Sequence, residues 1–93
     1  MNKYFFTLGQ AHSHILPNGT KWDRHGLVQV NAKTENQARE LIVAKFGIKW
    51  CTSYAEQSIN MGLYTKGVVF VYFYEAFAKA LRGQDVQVRE FGF

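Results

Sequence analysis

At 93 residues the chain has room for one two-layer core and no second domain, and 47% apolar residues with a single proline exclude a disordered or low-complexity protein. The single cysteine, Cys51, excludes an internal disulfide and points to a reducing, cytoplasmic setting. The net charge of +4 favours acidic partners but the eleven basic residues form no run, and neither a signal segment nor the ~18 consecutive apolar residues of a membrane span is present.

Tyr4 to Leu8 reads as a strand, with Tyr4, Phe6 and Leu8 on one face and Phe5 and Thr7 on the other. The connection from Gly9 to Gly26 is long enough to suggest a purpose. It carries His12, His14 and His25, Trp22 and Arg24, and the turn signal Pro17-Asn18-Gly19. Leu27 to Ala32 alternates as a half-buried strand that should lie beside the first. A helix is predicted over 34–46: Thr34 to Gln37 matches a capping box, Ala38, Leu41, Ile42 and Phe46 recur at helical spacing, Glu35 and Arg39 form an i,i+4 pair, and Gly47 ends it.

Lys49 to Ala55 alternates as another strand, whose large residues Trp50 and Tyr54 are expected beside the next one. Ser58 to Thr65 reads as a loop with a helical turn. Lys66 to Tyr74 is the most strand-like run, apolar on both faces: Val69, Val71 and Phe73 on one, Val68, Phe70, Tyr72 and Tyr74 on the other. The aliphatic face is expected to pack under helices, and the phenol-bearing face to form a covered edge or a binding surface. A short helix over 75–82 stops at Gly83, and Val86 to Arg89 reads as a last strand. The expected fold is α+β: a mainly antiparallel sheet of about five strands packed on one main and one short helix, in one domain over 1–93. Without the first strand the order is that of the ferredoxin-like plan.

Within that plan Lys66-Gly67-Val68-Val69-Phe70-Val71-Tyr72-Phe73 resembles the RNP1 pattern of RNA-recognition motifs, and the similarity extends over residues 27–91. It implies a single-stranded RNA or DNA binder in which Phe70 and Tyr72 stack on bases while Lys49, Lys66 and Arg89 meet phosphates. Two stacking positions of the family are Val28 and Val68 here. Tyr4-Phe5-Phe6-Thr7-Leu8-Gly9, Val30-Asn31-Ala32, Glu35 to Arg39, Phe46 to Trp50 and Tyr54 resemble small accessory proteins of bacteriophages and mobile elements, the class that includes anti-CRISPR proteins. That resemblance implies a phage protein in the host cytoplasm that occludes a host protein or ribonucleoprotein complex.

No reaction is legible. His12, His14, His25 and Cys51 have no spacing that fixes a four-ligand metal site, Ser13 has no nucleophile elbow, and no Gly-rich phosphate loop occurs. Asp23, Glu56 and Asp85 stand in unrelated elements, so no catalytic residue, metal or cofactor is assigned and an enzyme is not expected. Interface anchors are typically aromatic residues and Arg, which makes Trp22, Arg24, Phe70, Tyr72 and Tyr74 the candidate partner-binding residues. Their ring-rich face also suits a homodimer seam.

Overall fold

The computed structural model describes residues 1–9, 12–47 and 52–82. The first half contains strands β1 (Asn2–Phe6), β2 (His14–Ile15), β3 (Lys21–Trp22) and β4 (Gly26–Ala32), then helix α1 (Glu35–Phe46). Strands β5 (Ser53–Ala55) and β6 (Gly67–Phe73) and helix α2 (Tyr74–Arg82) follow. The predicted Lys49–Cys51 part of the fifth strand and the predicted last strand at Val86–Arg89 lie outside the described residues.

Alternation decides which side chains meet. Tyr4 and Phe6 of β1 and Val28, Val30 and Ala32 of β4 face the same way, and all join one buried cluster with Ala38, Leu41 and Ile42 of α1 and Phe77 of α2. β1 and β4 pair antiparallel from Asn2 opposite Ala32 to Phe6 opposite Val28, so the long connection closes a hairpin. β4 and β6 run parallel, and β5 pairs antiparallel with β1. The resulting α+β fold is a four-stranded mixed sheet in the order β5-β1-β4-β6, two helices, and a separate two-stranded β2-β3 sheet.

The pairing of β5 corrects an expectation. Tyr54 lies opposite Phe5 of β1 and not beside β6, because the connection over 56–66 carries the chain from one edge of the described sheet to the other. That connection contains two short 3₁₀ turns, Glu56–Ser58 and Met61–Leu63.

α1 forms where its local signals place it. The Thr34 hydroxyl accepts from the Gln37 N–H at 3.2 Å, while the Gln37 side chain accepts from the Lys33 N–H at 3.1 Å, one residue earlier than in the usual reciprocal box. Gly47 ends the helix at φ +71°, a backbone geometry that favours glycine, and its N–H donates to the Val43 carbonyl at 2.8 Å. Glu35 and Arg39 meet at 3.3 Å as their spacing predicts. The same carboxylate accepts from the Ser53 hydroxyl at 2.6 Å, so the helix is also tied to edge strand β5.

β6 reverses the expected roles of its faces. Phe70 and Tyr72 are buried in the core cluster, whereas Val69 and Val71 are half-buried and Phe73 is 41% exposed. A bulge is responsible in part: Leu27 pairs with Val68 but Val28 pairs with Phe70, so Val69 is the extra residue and the strand resumes with its rings on the core side. Gly26 makes room for it, since a Cβ there would lie 2.9 Å from Val69 Cγ1. β6 then passes from Phe73 directly into α2 at Tyr74 with no residue between.

Candidate functional site

Of the candidate residues, Trp22, Phe70 and Tyr72 belong to the interior. Trp22 is fully buried, its indole N–H donates to the Gly26 carbonyl at 3.1 Å, and its ring meets Phe46 edge-on at 5.1 Å. Tyr72 is 1% exposed, lies 4.8 Å from Phe70 and has the Lys45 ammonium 5.4 Å over its ring. Burial pushes the Tyr72 phenol up to about 12. Trp22, Phe70 and Tyr72 therefore hold β3 and β6 to α1, and they offer no accessible face for a partner or a base. Tyr74 is half-buried and donates its hydroxyl to Glu40 at 3.0 Å, at the start of α2.

Arg24 and Lys66 have a different setting. Both are exposed at the end of the sheet where β4 and β6 begin, and there the two long connections are fastened together. The Lys66 N–H donates to the His25 carbonyl at 2.9 Å, and Lys66 Nζ pairs with Asp23 Oδ2 at 2.9 Å. Asp23 Oδ1 also accepts from the His25 N–H at 3.0 Å, an Asx turn that bends the chain into β4. The bond from Lys66, then that from the His25 backbone, holds the Asp23 carboxyl below its ordinary range. Arg24 donates from Nε to His25 Nε2 at 3.3 Å, and neither Arg24 nor the exposed Lys21 has a carboxylate partner among the described residues.

The β2-β3 hairpin stands beside this end. Its turn is closed by the Leu16 N–H to the Thr20 carbonyl and the Gly19 N–H to the Leu16 carbonyl, both at 2.9 Å, as Pro17-Asn18-Gly19 predicts. Trp22 and Leu16 face inward while Ile15 is 71% exposed. The His14 ring lies 4.9 Å from Phe46 and 6.0 Å from Trp22, and its Nε2 is shut off from solvent with no hydrogen-bond partner among the described residues.

The candidate partner-binding set is thus divided. Arg24 is at the basic end, Tyr74 lies about 20 Å of strand away at the other end of β6, and the remaining three are core. Lys49 and Arg89 lie outside the described residues, so of the candidate nucleic-acid set only Lys66 is placed at the surface. Sequence reasoning passed over Lys21, Asp23 and His25 as parts of this end. The Asp-x-His turn was the available signal. Among the described residues no three His, Cys, Asp or Glu side chains converge as a metal site, and no helix is long and apolar enough to cross a membrane.

The arrangement joins exposed cations and an exposed aliphatic side chain on backbone tied by hydrogen bonds. No protein-family model, no curated protein and no solved structure matches this chain.

Proposed function

We propose that the chain is a non-enzymatic binding protein that occludes an acidic surface of a protein or ribonucleoprotein, using the end formed by the 9–26 and 56–66 connections. The observation that carries this reading is the double fastening of Lys66 to Asp23 and His25, which ties the ends of the two connections together while Lys21 and Arg24 stay exposed without carboxylate partners among the described residues. A pre-ordered surface loses less conformational entropy on binding than a loose one, and exposed cations steer an acidic partner toward it. The resemblance to phage and mobile-element accessory proteins fits an anti-defence role of the anti-CRISPR kind, with the host cytoplasm as the setting. The nucleic-acid alternative has less support here, because Phe70 and Tyr72 are buried and cannot stack on bases in this fold.

The test is a pull-down of the tagged chain from a bacterial lysate, with and without nuclease, run beside the Lys21→Ala/Arg24→Ala variant. The reading expects a discrete protein or ribonucleoprotein that survives nuclease with the wild type and is lost with the variant. Equal recovery by both proteins defeats the assignment. Recovery of nucleic acid alone, abolished by nuclease, would favour the alternative.

A further inference from the structure

The opposite end of the molecule, where β4 hands over to α1 and β6 to α2, encloses a cleft of about 510 Å³ that the reading above does not use. That volume lies in the range of small-molecule sites, roughly 300–1,000 Å³. Two cations from separate elements, Lys33 before α1 and Lys79 on α2, line it. Neither has a carboxylate partner among the described residues. Lys33 is fixed at its backbone on both sides: its N–H donates to Gln37 Oε1 at 3.1 Å and its carbonyl accepts from Asn2 Nδ2 at 3.0 Å.

The rest of the lining limits what could sit there. Gln37, whose side-chain oxygen accepts from the Lys33 N–H, also lines the cleft, and Glu75 is the one carboxylate among the described lining residues. Tyr74 forms part of the wall with its hydroxyl held by Glu40, and the small Ala32 leaves space at the floor. Two lysines suit a dianion, which each meets as a point charge, and Glu75 suits a ligand that also carries hydroxyl or amino donors.

We propose that this cleft binds a small phosphorylated molecule of nucleoside-monophosphate size, with Lys33 and Lys79 on the phosphate and Glu75 on donor groups of the sugar or base. The inference is independent of the proposed protein interface.

The experiment is a titration of the full-length, isotope-labelled chain, followed by amide NMR, with adenosine monophosphate, inorganic phosphate and adenosine up to about 10 mM. Adenosine monophosphate is expected to give saturable shifts confined to the amides around Lys33, Gln37 and Glu75 to Lys79. Phosphate should bind more weakly and adenosine weakest. The Lys33→Ala/Lys79→Ala variant should lose about tenfold or more in affinity, whereas Lys21→Ala/Arg24→Ala should bind as the wild type does. Both lysines are exposed, so an unchanged unfolding midpoint separates lost binding from lost fold. Absence of saturable shifts, undiminished affinity in the Lys33/Lys79 variant, or an equal loss in the Lys21/Arg24 variant, which would mark general charge attraction, overturns the proposal.

Discussion

The β6 run and the Asp23 to His25 turn make opposite use of the residues that proteins favour at interfaces. β6 has three rings and buries two of them: Phe70 and Tyr72 join the core cluster, where Phe46 meets Trp22 and Tyr72 edge to face, while Phe73 stays exposed. The turn exposes no phenyl, phenol or indole ring, only the Arg24 guanidinium and the His25 imidazole, and leaves them in solvent. A ring earns little by staying wet, since burying it contributes the area-proportional hydrophobic term, whereas a guanidinium or ammonium buried without a partner costs several kcal/mol. The rings here therefore report on stability, and the cations mark the surface left to solvent.

That division can be broken most directly at Trp22. Trp22→Ala removes a fully buried ring and its bond to Gly26, and should cost about 3–5 kcal/mol in urea unfolding, while Arg24→Ala should stay within about 0.5 kcal/mol of the wild type. A tolerant Trp22 would mean that the hairpin is not part of the core. Gly26→Ala comes next. The added methyl meets Val69 Cγ1 and should cost about 1–3 kcal/mol, and Val69→Ala in the same chain should restore much of the loss if the bulge is the cause.

Thr34→Ala sharpens the comparison at the other end, with an expected loss of about 1 kcal/mol from the missing cap and none if Gln37 alone holds the turn. The smallest effect at neutral pH concerns the Tyr72 phenol, which is pushed up to about 12 from its ordinary 10.0. Its folded form holds the proton more tightly than the unfolded chain. The associated stability is therefore complete below pH 10.0 and is lost as pH rises toward about 12. Absorbance titration should show one tyrosine ionising late, and Tyr72→Phe should remove that step.

Much of this fold was legible because its signals are local. Thr34, the 38/41/42 spacing and Gly47 bound α1 within a dozen residues, and the alternation of β4 separates Val28, Val30 and Ala32, which are core, from the polar Gln29 and Asn31. β6 was misread because both of its faces are apolar, so alternation names two faces but not the one that meets the helices. The phenols also weighed too heavily, since Tyr72 is mostly hydrocarbon ring. The partner of β5 and the Asp23 to Lys66 pair, separated by 43 positions, depend on strand order, which no local pattern encodes. Arg24 and Lys66 were legible as surface residues from their charge, whereas the lysines of the cleft were not, because only the meeting of α1 and α2 brings them together.

The direct passage from Phe73 into Tyr74 leaves no linker residue between β6 and α2. Each residue advances a helix by about 100°, so the phase of α2 is set by where β6 stops counting. The bulge at Val69 is thus an indexing device. Pairing Val69 regularly with Val28 would instead shift every later position of β6 by one, to the other side of the sheet, and turn Phe77 away from the core. It would also pull Lys79 from the cleft it shares with Lys33, so the register at one end of the strand governs the geometry at the other.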